Sequence, residues 1–235
     1  MNSKYNIIKY KTKNLNKVED LISIEEPLEI SIKFKSKNDW IKNIVSITMR
    51  TPGHDEDLVR GFLFNEKIVE KNDHIEKIES IGEEAGKYNI KNKIVVTLNN
   101  SENVDIGKIK RNFLTNSSCG VCGKTSLESL EIIKKDNVIK SLPKITKKLI
   151  IKSPLILRDN QSEFSKTGGI HASGLFSNNG DMVSIREDVG RHNALDKLIG
   201  YTLNNQLLDP ASQFIACSGR LNFELVQKVL MANIG

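Results

Sequence analysis

Apolar and polar residues alternate at Leu28, Ile30, Ile32 and Phe34, and again at Val45, Ile47 and Met49 after a polar loop spanning 37–43. Alternation with a period of two marks strands with one buried face, so these runs predict a hairpin. Thr51-Pro52-Gly53-His54 turns the chain, and the period then lengthens: Leu58, Val59, Phe62 and Leu63 share one helical face. Asp55, Glu56 and Asp57 ahead of them suit the first turn of a helix, where free N–H groups favour acids. Phe62 and Phe64 read as core. Ile75, Ile78 and Ile81, followed by an apolar run at 94–98, predict a second strand pair and complete a small α+β domain over 21–115. The preceding residues, 1–20, are polar and lysine-rich and read as a flexible arm.

Further on, Thr125-Ser126-Leu127-Glu128 has the form of a capping box and predicts a helix over 126–134. A lysine-rich connection leads to a second predicted helix at 153–165. The glycine-dense segment Thr167-Gly168-Gly169-Ile170-His171 then opens a strand, as either a plain tight turn or a backbone kept bare for close approach. Asn178-Asn179-Gly180-Asp181 predicts a tight turn into a strand at 182–186. Ala194, Leu195, Leu198 and Ile199 have helical spacing, which leaves Arg191, His192 and Asn193 at a helix entrance. Cations and free N–H groups together suit an anion there; a structural ion pair of Arg191 with Glu187 or Asp188 is the alternative. Last come a buried strand at 214–217, a turn at Ser218-Gly219-Arg220, and a helix at 221–231 with Leu225, Val226, Val229 and Leu230 inward, an α/β unit. The residues stop at Gly235, where a further strand is expected to cover that helix.

Composition narrows the class. The chain has 235 residues and is 38% hydrophobic, enough for one large core or two smaller ones. No apolar run reaches the roughly 18 residues of a membrane span, and 1–20 lacks the apolar stretch of a signal peptide. With three cysteines, these features predict a cytoplasmic protein without a disulfide framework. The net charge of +6 comes from dispersed lysines with few aromatics, which argues against a dedicated nucleic-acid surface.

The chemistry concentrates at Cys119-Gly120-Val121-Cys122-Gly123. Two of the three cysteines stand three apart, just before the capped helix and beside Lys124. Partial positive charge there favours thiolate, the form that attacks sulfur or binds metal. Three readings stay open on the residues alone. Half of a zinc site would need two more ligands, with only Cys217 and four scattered histidines to supply them. A thioredoxin-like dithiol would want an aromatic where Ser118 stands. A nucleophilic thiolate could carry a group such as a persulfide. Zinc-binding module and nucleic-acid-binding accessory domain are the alternatives to the carrier. Between the two thiols the physics is divided, since Cys122 lies nearer the helix start while Cys119 has the greater reach.

Arg50-Thr51-Pro52-Gly53, Gly61-Phe62-Leu63-Phe64-Asn65-Glu66, the cysteine motif, Thr167-Gly168-Gly169-Ile170-His171, Glu187-Asp188-Val189-Gly190-Arg191-His192-Asn193-Ala194 and Ser218-Gly219-Arg220 resemble, in this order, the motifs of the formate dehydrogenase accessory (FdhD) family. The resemblance runs from about residue 24 to the last. It implies a sulfurtransferase that takes persulfide sulfur from a cysteine desulfurase and passes it to the molybdenum or tungsten bis-pyranopterin guanine dinucleotide cofactor of the formate dehydrogenase catalytic subunit. It assigns the persulfide to Cys119, with Cys122 assisting, and implies a homodimer. It also implies that 116–235 carries the cysteine loop and a cytidine-deaminase-like α/β/α domain lacking the zinc-site residues. His171-Ala172-Ser173 has serine where zinc deaminases keep a proton-moving acid, so that chemistry is not expected. Thr167, Gly168, Gly169, Arg191 and His192 are expected to hold the anionic cofactor, with no bound metal of the protein's own. Family members usually continue into a nucleotide-holding segment beyond the last helix, and its absence predicts an uncovered apolar helix face and weak cofactor affinity.

Overall fold

The computed structural model describes residues 1–11, 14–37, 39–99 and 143–234. Its strands are β1 (Asn2–Lys11), β2 (Asn14–Ser23), β3 (Glu26–Ser36), β4 (Asp39–Arg50), β5 (Ile75–Ile81), β6 (Lys93–Leu98), β7 (His171–Ser177), β8 (Met182–Asp188) and β9 (Gln213–Cys217). Its helices are α1 (Asp55–Asn65), α2 (Lys147–Asp159), α3 (Ser162–Thr167), α4 (Arg191–Asn204) and α5 (Phe223–Met231), with a 3-10 turn at Asn72–His74. The mixed α and β class expected from the sequence pattern is what the chain adopts. Cys119, Cys122 and the predicted helix at 126–134 lie outside the described residues. Among the described residues, no helix is long and apolar enough to cross a membrane.

The first half is a four-stranded sheet ordered β4-β3-β6-β5, with β3 and β6 parallel at its centre. Leu28, Ile30, Ile32 and Phe34 of β3 are fully buried and meet Leu58, Val59 and Leu63 of α1. Burying one such side chain stabilises by roughly 1.5–3 kcal/mol, so the alternation fixes which face of the sheet takes the helix. The polar stretch at 37–43 is not a loop. Ser36 pairs with Asp39, leaving a two-residue connection with Lys37 at φ 55°, and 39–43, with Trp40 and Ile41 among its polar residues, sits in a strand. Short hairpin connections need that positive φ because it matches the strand twist.

The second half is a three-stranded antiparallel sheet ordered β8-β7-β9. Leu175 packs against Leu195, Leu198 and Ile199 of α4 and Leu225 of α5, whereas Ala172 and Phe176 pack against Leu149 and Leu157 of α2. Helices therefore cover both faces. The predicted helix at 153–165 is in fact two. The Thr146 hydroxyl accepts from Leu149 N and starts α2 six residues earlier, and the chain breaks at Asn160-Gln161 before α3. Pro154 sits inside α2, where it cannot donate to the Ile150 carbonyl, and the Ser153 hydroxyl donates to that oxygen instead (3.4 Å). In α5, Leu225 is buried as expected but Val226 points outward, because the buried face also takes Gln227 and Lys228.

The two halves meet where α1 crosses α4. A Cβ on Gly61 would stand 1.9 Å from the Asp196 carbonyl oxygen, and one on Gly200 would stand 1.9 Å from that of Asp57. Each helix thus presses bare backbone onto the other. Residues 1–20 are no loose arm, since β1 and β2 pair over ten positions and dock at their base. The Met1 ammonium and Asn2 Nδ2 both donate to Glu163 Oε2 (3.0 and 2.9 Å), and Ser23 Oγ lies 2.8 Å from Thr167 Oγ1.

Gly61→Ala or Gly200→Ala should force the helices apart and cost about 1–3 kcal/mol or more, read as a lower urea midpoint. Burial alone would raise the pKa of Glu163, but Lys166, Asn2 and the terminal ammonium outweigh it and bring it down from 4.5 to about 2. A depressed carboxyl stabilises the fold above its unfolded value and loses that stabilisation as pH falls through the folded one. Hydrogen exchange at β1 and β2 should therefore speed up as pH drops from about 4.5 towards 2, after correction for intrinsic rates, and Glu163→Gln should flatten that dependence.

Candidate functional site at the end of the second sheet

Four segments converge where β7 begins and β9 ends: the Gly168-Gly169 turn, His171, the Ser218-Gly219 turn, and Arg191 at the start of α4. Gly168 closes α3 at φ 67°, the left-handed conformation that favours glycine at a helix end. The β7–β9 register sets Ser173 opposite Cys217, so His171, Ser173, Cys217 and Gly219 belong to one face. A Cβ on Gly219 would approach His171 Nδ1 to 3.2 Å and Arg191 Cδ to 3.6 Å, so glycine lets imidazole and guanidinium stem come together. A cavity of about 530 Å³ opens beside them, lined by Leu157, Arg158, Gln161, Phe164, Gly168, Gly169, His171, Cys217 and Ser218 among others.

Several groups here lack partners or have them arranged for a ligand. Gln161 is buried, yet its Nε2 has no hydrogen-bond partner; the same is true of Arg191 Nε. The Arg158 guanidinium lies 3.7 Å over the Phe164 ring, a flat cationic surface at the cavity wall. Burial and then the Arg191 charge push the pKa of His171 below 6.5, against the pull of Asp188. The ring is therefore neutral at pH 7. The Cys217 thiol touches Ser173 Oγ at 3.6 Å, and burial raises its pKa, so it stays protonated. Among the described residues, no three His, Cys, Asp or Glu side chains gather as metal ligands.

The expected cofactor residues are divided by the fold. Gly168 and Gly169 line the cavity. Thr167 Oγ1 donates to the Glu163 carbonyl and meets Ser23, which ties α3 to the hairpin. Arg191 reaches the same end of the sheet beside His171. His192 turns to α5, with Nε2 3.1 Å from both Asn222 Nδ2 and Glu224 Oε2. A neutral ring accepting from Asn222 leaves that buried Glu224 oxygen without a donor. The structural alternative for Arg191 fails, because both acids are engaged elsewhere. Glu187 accepts from the backbone N–H groups of Glu163 and Phe164 at the start of α3 (both 3.0 Å). Asp188 accepts from Lys197 (2.7 Å), Thr51 N, Gly190 N and Asn193.

The motif that carries Arg191 thus mostly joins the two halves. Lys197 Nζ donates to the Thr51 carbonyl at 2.7 Å, Val189 N donates to Thr51 Oγ1, and Asn193 Nδ2 donates to the Met49 carbonyl. Next to this, Lys228 and Asn65 both donate to Asp196, whose burial pushes its pKa up to about 6 against the pull of Lys228. Sequence reasoning missed Arg158, Gln161 and Phe164 as lining residues. All three fell inside the helix predicted at 153–165, where an arginine and a glutamine are ordinary for a solvated face and a phenylalanine for a core.

A sequence model of the FdhD/NarQ family matches residues 24–235. The sulfur carrier protein FdhD of Picrophilus torridus is 42% identical over 217 residues, covering 92% of this chain and 77% of its own. That of Sulfolobus acidocaldarius is 38% identical over 216 residues, covering 92% and 75%. That of Saccharolobus solfataricus is 35% identical over 231 residues, covering 98% and 81%. The fold is similar to the crystal structure of a candidate formate dehydrogenase accessory protein from Desulfotalea psychrophila, with a TM-score of 0.65 at 20% identity, covering 99% of this chain and 80% of that one.

Because the Arg191 charge helps hold the His171 ring neutral, Arg191→Ala should move the His171 pKa up towards 6.5. A two-dimensional NMR titration of the four histidines checks this; an unmoved His171 resonance would mean that burial alone sets its value.

Proposed function

The chain belongs to the FdhD/NarQ family, and from that premise we propose that it is a cytoplasmic sulfur carrier serving formate dehydrogenase. The observation that carries the reading is the run of relatives named as sulfur carrier proteins, aligned over nine-tenths of a chain that contains a vicinal cysteine pair. In this reading Cys119 thiolate attacks the outer sulfur of a cysteine desulfurase persulfide. The desulfurase S–S bond breaks, its cysteine leaves as thiolate, and Cys119 keeps the sulfur as a persulfide. Cys122 thiolate then attacks the Cys119 sulfur, which closes a disulfide and releases sulfide to the acceptor. A thiol reductant must reopen that disulfide before the next cycle.

The acceptor proposed is the molybdenum or tungsten bis-pyranopterin guanine dinucleotide cofactor, handled as substrate on its way to the dehydrogenase. The cavity supports this proposal chemically. A flat cation on Phe164 suits a planar heterocycle and the unpartnered Gln161 amide is a donor for a ring carbonyl or nitrogen; Arg191, outside the cavity lining but beside His171, offers charge to a phosphate. The neutral His171 can accept a proton at this end of the sheet without adding charge. A homodimer and a deaminase-like layering of the second half belong to the same proposal.

The test is intact mass after incubation with a cysteine desulfurase and cysteine. The parent should gain one sulfur atom that dithiothreitol removes; Cys122→Ala should gain it too, and Cys119→Ala should not. Labile sulfur on Cys119→Ala and none on Cys122→Ala would reverse the assignment. A parent that gains no sulfur, but holds one tightly bound zinc lost in the double variant, would replace the carrier with a zinc module.

A further inference from the structure

The hairpin of β1 and β2 takes no part in the chemistry above, and the family match begins only after it, at residue 24. It forms a sheet of its own, joined to neither of the others. Two strands alone are marginal in water, so its fixed base matters. That base is held by Glu163 and Thr167, and one further point lies at Tyr5, whose hydroxyl meets Tyr88 (3.1 Å) and Lys87 (2.9 Å). Beyond it, among the described residues, the hydrogen bonds and ion pairs of residues 6–20 stay within the hairpin.

The register decides what the outer part presents. Tyr10 lies opposite Leu15 and Ile8 opposite Lys17, so all four side chains share one face. Tyr10 and Leu15 are each 70% exposed and Ile8 is 63% exposed. An aromatic flanked by aliphatics is the composition of an interface centre, and a polypeptide gains nothing by holding it in water. Charge is equally one-sided. The hairpin carries five lysines, at positions 4, 9, 11, 13 and 17, against Glu19 and Asp20. Both acids are already engaged, Glu19 by Lys4 (2.8 Å) and Asp20 by Lys9 (3.0 Å). Among the described residues, Lys17 is left without an acidic partner, beside Ile8, Tyr10 and Leu15. A second copy placed face to face on this hairpin would set the same lysines against one another and be repelled there, so a homodimer must use another face.

We propose that the face of Ile8, Tyr10, Leu15 and Lys17 docks a partner protein whose surface has an apolar pocket rimmed by carboxylates. The inference rests on the sulfur-carrier reading only for the choice of probes, a purified cysteine desulfurase and a purified formate dehydrogenase. Binding of each is measured by calorimetry against the parent chain, an Ile8→Ser Tyr10→Ser Leu15→Ser variant, and Lys17→Glu. Sulfur loading from glutathione persulfide, which needs no protein docking, is measured in parallel.

The expected result is that the parent binds one of the two proteins with an affinity that falls as salt rises, and that the triple variant binds it at least about tenfold more weakly. Lys17→Glu should weaken it by a smaller factor, and all three chains should load from glutathione persulfide alike. Variants that bind like the parent would overturn the inference, as would a parent that binds neither protein. A loss of affinity for a single-stranded oligonucleotide in place of the proteins would overturn it in favour of a nucleic-acid surface. A parent that fails to load from glutathione persulfide counts against the sulfur-carrier reading, separately from any binding result.

Discussion

Backbone meets backbone where α1 crosses α4, and the rest of the molecule is arranged around that contact. Neither Gly61 nor Gly200 has room for a single methyl group. At such a distance no side chains can fill the seam, so the residues around it must settle their polar groups by direct pairing. Thr51, Asp188, Asn193 and Lys197 do so on one side of the seam, and Asn65, Asp196 and Lys228 on the other. Charges taken from water this completely add little net stability when paired, but the loss of one partner strands the other at a cost of roughly 3–5 kcal/mol. The pairs therefore act as a register lock between the two halves.

This changes the meaning of the chain's most distinctive motif. Read as a string, Glu187 to Ala194 gathers acids, an arginine, a histidine and an asparagine, and suggests a site. Folded, Glu187 caps α3, Asp188 and Asn193 hold the first half, and His192 faces α5. Arg191 alone is left beside His171, at the edge of the candidate site. A motif can thus be dense in chemical residue types because it is a junction, where backbone ends and buried charges from several elements must all be satisfied.

The sequence made the parts with strong period legible. The alternation in β3 and the helical spacing in α1 and α4 led directly to the buried faces seen in the structure. What it hid was set by local exceptions or by distance. The Lys37 connection was concealed because Asp39, Lys42 and Asn43 lie in an edge strand whose outer face is solvated. The start of α2 was concealed because Pro154 normally marks a first turn, whereas here Ser153 makes a mid-helix proline tolerable. The first strands looked like an arm because their apolar residues are sparse and largely exposed. Gln161, Arg158 and Phe164 could not be read at all, since their meaning comes from β7 and β9, which follow in the chain.

The clasp on Thr51 also bears on how the polypeptide reaches its final shape. Thr51 waits for Asp188 and Lys197, which are 137 and 146 positions further along. Contacts of such long sequence separation form late, because the intervening loop must close before they return any free energy. During synthesis at about 5–20 residues per second, the first half emerges many seconds ahead of the helix that seals it. Through that interval Gly61 and its neighbours on α1 face water without α4. The glycine that makes the finished seam so close also removes a side chain from the unfinished surface, and leaves Phe64 as the apolar group on α1 that waits for the core around α4.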